Sequence, residues 1–411
     1  MQEEFFVDTI RRSGGRVFIV GGWVRDWLRQ AVPKDKDFVI SGLSEEKFCQ
    51  LFPDAQKAGK AFPVYLLKID GNSSEVALAR RERKTSCGYT GFQVEYDPYV
   101  TIEEDLKRRD TTMNSIAMEL PMKTLIDPFH GAADIFARCI RATSVHFVED
   151  PVRALRAARQ ASELGFRLLP ETFRSMAACS SELAAEPQER ILQELTRALA
   201  SKRPSVFFRA LRQADLLSVV FPEIQALIGQ IQPIDFHPEG DAFEHTMQIL
   251  DQVSLHTQGI AARFAALVHD IGKGTTPADM LPHHYGHEQR GVQELMRWNQ
   301  RCTLPKLWLR SGLFIITEHM RAPRLKKAGK IVALLLAVHH SVLSLSDFCC
   351  IIRADYREKL PEYLTNGEYY LSAFLGISGH DAPRELHGEA VGQWVFNEQA
   401  QVYMRMIRNQ H

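Results

Sequence analysis

The chain has 411 residues, 45% of them hydrophobic and 24% charged, with 50 Lys plus Arg set against 50 Asp plus Glu. That length points to more than one domain, and that balance excludes a disordered or fibrous chain. A net charge of zero excludes a uniformly basic surface, so any contact with nucleic acid must rest on local clusters.

None of the seven cysteines forms a CxxC pair, and the adjacent Cys349 and Cys350 cannot easily bridge each other. All seven read as free thiols in a reducing, cytoplasmic compartment. The opening MQEEFFVDTIRRSGG is acidic and then basic, without the long apolar run of a leader or a membrane span. Val332 to Val338 is apolar but too short to cross a bilayer, and reads as a buried helix. No repeat or low-complexity tract stands out.

Taken in order, Val17 to Val20 is an apolar strand ending in Gly21 and Gly22. Trp23, Val24, Trp27 and Leu28 then recur at helical spacing, and Pro33 is expected to stop that helix. A second strand is expected to carry Asp35 and Asp37 into Phe38 to Ile40. Alternation along a strand puts both carboxylates on one face. Two such groups repel unless a cation lies between them. Mg²⁺ is usually held by one or two carboxylates, with substrate phosphates completing its shell. A glycine pair at a helix start offers N–H groups and a positive dipole to phosphate. Each signal alone is weak. Together, in this order, they read as a nucleotidyl-transfer site working through two metal ions.

Val64 to Ile69 and Val76 to Leu78 read as strands, with Glu75 opening the second as a candidate third carboxylate. RRERKTSCGYTGF, Arg80 to Phe92, is basic and glycine-containing, with Tyr89 and Phe92, and suits a loop near phosphates or RNA. Glu103 to Ala117 reads as a helix start running into an apolar face. In it, Arg109, Asp110 and Asn114 are candidates for sugar and phosphate contacts, while Lys107 reads as solvated charge. DPFHGAAD, Asp127 to Asp134, reads as a turn and then a helix.

After Ile140 the pattern is helical throughout. Asp150 with Pro151 reads as an N-cap and first-turn pair. Arg153, Arg156 and Arg159 recur every three residues along one broad face. Cytosine and adenine both show an amine donor beside a ring-nitrogen acceptor, whereas uracil and guanine show the reverse. A carboxylate accepts from the amine and a guanidinium donates to the ring nitrogen. An Asp150–Arg153 pair would therefore select C and A without a template; the plainer reading is a local salt bridge with a capping Asp. Arg190 and Glu194, in PQERILQE, are spaced to pair with each other.

GGWVRD, KDKD, RKTSCGYTGF, EEDLKRRDTTMN, DPFHG, EDPVRALRAAR and PQERILQE occur here in that order, and the chain resembles the bacterial CCA-adding enzymes, class II tRNA nucleotidyltransferases. The resemblance implies an α+β fold. A polymerase-β-like head with a small mixed sheet would span residues 1–142. A helical neck and body, recognising the nucleotide base and binding tRNA, would span 143–228. It implies catalytic Mg²⁺ at Asp35 and Asp37, nucleotide contacts from Gly22, Arg25, Arg109, Arg156 and Arg159, and the base-selecting role for Asp150 and Arg153.

The remaining histidines gather in FHPEGDAFEHT, RFAALVHDIGKG, HHYGHEQRG and ITEHM. This stretch resembles an HD phosphohydrolase domain, over 229–355, with a helical tail over 356–411. The resemblance implies a divalent metal of unknown identity held by His245, His269 and Asp270, with His287 and His319 near and Asp355 as a further ligand. Met320 stands where a second HD pair usually has its Asp, which leaves a purely structural metal site as the alternative. Arg321, Arg324, Lys326, Lys327 and Lys330 read either as contacts to a tRNA backbone or as solvated charge.

The expected partners are tRNA, CTP and ATP, with neither DNA nor a membrane; monomer and homodimer both stay open. The leading expectation is addition of C, C and A to the tRNA 3′ end, with a 2′-nucleotidase, 2′,3′-cyclic phosphodiesterase or phosphatase activity at the HD site. An A-adding enzyme, a poly(A) polymerase, and a phosphohydrolase whose head only binds RNA are the alternatives.

Overall fold

The computed structural model describes residues 1–59, 63–84, 91–233, 240–356 and 359–409. His237 and residues 85–90 of the basic loop, Tyr89 among them, lie outside those residues. The chain divides into two compact units, Met1–Ala198 with Val206–Val220, and Leu199–Ser205 with Phe221–His411.

The first unit opens with strands β1 (Arg16–Val20), β2 (Asp37–Ser41), β3 (Gln56–Ala58), β4 (Val64–Ile69) and β5 (Asn72–Leu78). A two-stranded ribbon follows, β6 (Arg80–Lys84) with β7 (Phe92–Tyr96), and then β8 (Ala117–Leu120) and β9 (Thr124–Ile126). Seven of these form one mixed sheet in the order β3-β4-β5-β2-β1-β8-β9. β1 and β2 lie centrally, and four of five residues in each are buried, as continuous apolar runs require. Phe18, Val20 and Val39 pack with Val100, Ile102 and Leu106 in one core cluster.

Register gathers the chemistry at one end of this sheet. β1 pairs antiparallel with β2, Val20 opposite Asp37. β2 pairs parallel with β5, Phe38 beside Val76, so Asp37 and Glu75 stand next to each other at the same level. Gly21 turns the chain at φ +70°, which favours glycine, straight into the helix Gly22–Leu28.

Several local expectations are corrected. β2 begins at Asp37, so Asp35 sits in the bend before it and not on the strand. The helix after Gly21 ends at Leu28, five residues before Pro33, and Gln30 turns left-handed at φ +57°. Glu75 lies inside β5 and does not open it. The segment from Glu103 makes only a short helix, Ile102–Lys107, fixed by a capping box between Thr101 and Glu104. A 3₁₀ turn, Thr112–Asn114, then leads into β8, because the apolar residues beyond Asp110 are needed in the sheet.

The unit continues through the helices Val152–Leu164, Pro170–Ala177 and Gln188–Leu199. The second unit is helical: Ala242–His256, Ile260–Val268, His287–Arg301, Lys306–Glu318, Ala328–His340 and Leu345–Asp355, with Glu389–Arg408 near its end. Gly272 sits where the turn Ile271–Thr275 meets the helix His287–Arg301; a Cβ there would lie 2.0 Å from the His287 carbonyl oxygen. That close approach brings Asp270 and His287 together. No single helix among the described residues is long and apolar enough to cross a membrane.

Candidate functional site

In the first unit the glycine turn, β2 and β5 place three carboxylates together. Asp37 is half-buried, while Asp35 and Glu75 are exposed. Burial, then the charge of Glu75, pushes the Asp37 carboxyl up to about 6; Asp35 adds to this and Arg109 opposes it. A carboxylate destabilised by its neighbours in this way is suited to a divalent cation. Two cations flank the turn. An added Cβ on Gly21 would lie 3.5 Å from Arg109 Nη1, and one on Gly22 would lie 3.5 Å from Arg25 Nη2.

Both arginines are held from behind. Arg109 Nη2 donates to Asp105 Oδ2 at 3.1 Å. Burial opposes ionisation of Asp105, but Arg108 and Arg109 hold its carboxyl down at about 2. Arg25 donates to Asp26 and, through Nη1, to Asn114 Oδ1 at 3.0 Å. Asn114 Nδ2 donates to Asp110 Oδ1 at 3.1 Å, and Asp110 Oδ2 accepts from Arg156 Nε at 2.8 Å and Gln160 Nε2 at 2.9 Å. Despite burial, Arg156 and these hydrogen bonds keep Asp110 well below the usual carboxylate range. A continuous polar line thus runs from Gly22–Leu28 to Val152–Leu164. Asp110 and Arg156 pair with each other, and the Arg156 side chain stays 41% exposed.

The expected pairs are also redrawn. Asp150 accepts from Arg190 Nη2 with both oxygens, each at 3.0 Å, and from Val152 N at 3.3 Å. Arg190 also donates to Glu186 at 2.7 Å, so it does not pair with Glu194. Glu194 instead accepts from Arg159 Nε at 2.5 Å, and Arg159 also reaches Glu163 at 2.6 Å. Each arginine keeps a partner four residues away, Glu186 for Arg190 and Glu163 for Arg159, and gains a tertiary one, Asp150 and Glu194 respectively. Arg153 donates to the His146 carbonyl and faces Glu82 at 3.8 Å. Glu82, its side chain 2% exposed, also pairs with Arg80 and Arg108. Lys84, on the same strand, donates to the Glu149 carbonyl at 2.7 Å. The ribbon β6–β7 therefore grips the segment holding Asp150 and Arg153.

The second unit brings every expected metal ligand together. Two donor groups lie within 4.8 Å: His245, His269, Asp270 and Asp355, and then Asp270, His287 and His319. Asp270 belongs to both. Its Oδ2 faces His269 Nε2 at 3.2 Å and His245 Nε2 at 3.6 Å, while its Oδ1 faces His287 Nε2 at 3.2 Å and His319 Nε2 at 3.4 Å. Asp355 Oδ1 approaches His245 Nε2 at 3.1 Å.

The imidazoles are oriented from outside. Nδ1 of His269, His287 and His319 contacts the carbonyls of Ala266, His284 and Ile315 at 2.8, 2.9 and 3.0 Å. A carbonyl only accepts, so each Nδ1 carries the proton and each Nε2 presents a lone pair inward. Nε2 atoms then face one another at 3.4 Å, His245 to His269, and at 3.2 Å, His287 to His319. Both oxygens of Asp270 are buried. Burial opposes its ionisation, yet the charge of Lys273, with Nζ 2.6 Å from Oδ2, holds Asp270 well below the usual range. A buried carboxylate facing four imidazole Nε2 atoms, with a second carboxylate 3.1 Å from one of them, fits a divalent cation. Asp355, not a residue beside His319, stands as the second carboxylate of the cluster.

Sequence reading missed Glu82, Asp105, Lys273 and the Arg190–Asp150 pair. Lys273 and Asp105 carried a usable signal, at i+3 from Asp270 and at i−3 and i−4 from Arg108 and Arg109. The links of Glu82 to Arg108 and Arg153, and of Arg190 to Asp150, carried none, because those partners are distant in sequence.

Three family models match: a poly A polymerase head domain over residues 17–141, a probable RNA and SrmB-binding site of polymerase A over 165–228, and an HD domain over 242–356. The chain is 45% identical over 309 residues to a multifunctional CCA protein of Shewanella frigidimarina, covering 74% of this chain and 73% of that one. It is 40% identical over 395 residues to the multifunctional CCA protein of Thioalkalivibrio sulfidiphilus, covering 92% and 95%. Its fold matches the CCA-adding enzyme of Bacillus stearothermophilus solved in complex with CTP, at a TM-score of 0.66 and 21% identity over 99% and 92% of the two chains. With a nucleotidyltransferase head, a histidine–aspartate cluster and this identity along nearly its whole length, the chain belongs to the multifunctional CCA proteins, the CCA-adding tRNA nucleotidyltransferases that carry an HD domain.

Proposed function

We propose that the chain adds C, C and A to the 3′ end of tRNA from CTP and ATP at the Asp35–Asp37–Glu75 corner of the head, residues 1–142. The observation that carries this is the raised Asp37 carboxyl beside Glu75 and Asp35, with Arg25 and Arg109 at the adjoining glycine turn. The 3′-hydroxyl attacks the α-phosphate in line and pyrophosphate leaves. Mg²⁺ at Asp35 and Asp37 would activate the hydroxyl and neutralise the leaving group. Arg25 and Arg109 bind the phosphates and sugar, and Asp150 and Arg153, in the helical region 143–228, select the base. A nucleotide in this corner meets two pre-positioned cations, which lowers the cost of orienting its charge. The reaction belongs to the cytoplasm, where uncharged tRNA ends meet CTP and ATP. Incubating the protein with tRNA lacking its last three nucleotides and labelled CTP or ATP tests this directly; label from only one nucleotide would reduce the reading to a partial enzyme.

A second activity is favoured by the cluster around Asp270. We infer that the HD region, residues 229–355, binds one or two divalent ions and hydrolyses 2′-phosphates or cyclic phosphates. His245, His269, Asp270 and Asp355 would hold one ion, and Asp270, His287 and His319 the other, supplying a nucleophilic water and a Lewis acid. Lys273 adds a fixed positive charge for the substrate phosphate. His269→Ala is expected to lower metal affinity by about a hundredfold or more and to remove hydrolysis, while nucleotide addition stays as in the parent. Elemental analysis and hydrolysis assays check this. A parent protein that binds no divalent ion and hydrolyses nothing would leave the cluster structural.

A further inference from the structure

Beside the histidine cluster stands an aromatic pair to which neither activity above gives a role. The rings of His283 and Tyr285 stack with centroids 5.4 Å apart and planes 22° apart. Both residues are exposed, Tyr285 at 71%, so the stack is not core packing.

The segment that bears it is firmly held. His284, between them, is buried, with Nε2 3.1 Å from the Ile231 carbonyl and Nδ1 2.7 Å from Thr276 Oγ1. Its Nε2 donates to the carbonyl and its Nδ1 accepts from the Thr276 hydroxyl. The His284 carbonyl takes the Nδ1 proton of His287, and the Tyr285 carbonyl accepts from Arg290 Nη1 at 2.8 Å. Tyr285 is thus anchored two residues from a metal-binding histidine, within about 7 Å along the chain.

We propose that the His283–Tyr285 stack is the nucleobase platform of the HD site, the element that makes hydrolysis there depend on the base attached to the phosphate. The proposal rests on the hydrolytic reading of that site. Every base has a π-face, and stacking on aromatic side chains is tolerant of sequence. A flat, solvent-facing pair next to the ligand His287 holds a base while the attached phosphate reaches the cluster. A pair that merely covered the surface would be indifferent to what the phosphate is attached to.

The test compares adenosine 2′-monophosphate with glycerol 2-phosphate, using full-length protein loaded with its divalent ion. Tyr285→Ala is expected to raise KM for the nucleotide about tenfold, with kcat nearly unchanged and glycerol 2-phosphate unaffected. Tyr285→Phe keeps the ring and is expected to behave as the parent. Equal effects on both substrates, no effect on either, or Tyr285→Phe matching Tyr285→Ala would overturn the platform. Equilibrium dialysis of labelled adenosine 2′-monophosphate against metal-free protein gives a readout independent of hydrolysis. If the parent hydrolyses nothing, the hydrolytic reading fails by itself. Dialysis then decides the platform: loss of one binding equivalent in Tyr285→Ala supports it, and unchanged binding sinks it.

Discussion

Asp37→Ala and Asp35→Ala should each cut incorporation of both C and A by at least about a thousandfold, with tRNA binding retained. Several kcal/mol of charge stabilisation come from metal ions in such reactions, and each 1.4 kcal/mol is about one decade in rate. Asp37 has the added signature of a strained carboxylate. Its pKa is about 6 in the folded chain against 3.8 as a free group. Between those values the folded state binds more protons than the unfolded one, so metal-free stability falls as pH rises through about 4 to 6 and stays lower above that window. Asp37→Asn removes the charge at constant shape. It should therefore abolish incorporation while stabilising the metal-free protein at pH 7.5, by up to about 3 kcal/mol. At pH 4 the gain should vanish. Thermal midpoints at the two pH values, beside single-nucleotide incorporation, check both halves. Retained incorporation in Asp35→Ala or Asp37→Ala would remove these residues from catalysis.

Asp150→Ala should change which base is accepted more than it slows the chemistry. A site built on paired hydrogen bonds rejects the wrong base by leaving a buried group unsatisfied, about 1–3 kcal/mol per group. UTP or GTP incorporation relative to CTP and ATP should then rise roughly tenfold or more. The structure adds a complication that spacing did not show, since both Asp150 oxygens also accept from Arg190. Asp150→Ala must destabilise the fold too, by stripping a partner from a partly buried guanidinium. Arg190→Gln separates the two effects, because it breaks the same ion pair while keeping the carboxylate. If Asp150 reads the base, Arg190→Gln lowers the thermal midpoint but keeps much of the preference, whereas Asp150→Ala loses both. Arg153→Ala should follow Asp150→Ala in preference. A fixed preference in Asp150→Ala, with a lowered midpoint, would reduce the residue to a cap and ion-pair partner.

The local elements were largely legible where one physical rule dominated. Val64–Ile69 alternates buried and less buried residues, and the sheet has no competing use for them. Asp127 turns the chain by accepting from Gly131 N and Ala132 N at 2.7 and 2.9 Å, as the DPFHG pattern suggested. The helix Ile260–Val268, capped by His269, was visible from the apolar run Phe264 to Val268. Legibility failed where a residue had two eligible partners. Arg190 has Glu194 one turn ahead and Glu186 one turn behind, and only the fold puts Asp150 within reach as well.

The sequence by itself determined the order of motifs, the alternation of a strand-rich head with helices, and the donor types of both sites. Each follows from local periodicity and from what carboxylates, imidazoles and guanidinium groups can do chemically. Only the tertiary structure decided which donors share one point in space. Asp37 meets Glu75 because β2 and β5 run parallel with Phe38 beside Val76. Asp270 lies between two sets of imidazoles because Gly272 allows the His287 helix to approach without a Cβ in the way. The physical reason is the same in both cases: spacing along the chain constrains partners within a turn or two, whereas burial makes distant charges seek whichever partner the packed backbone brings nearest.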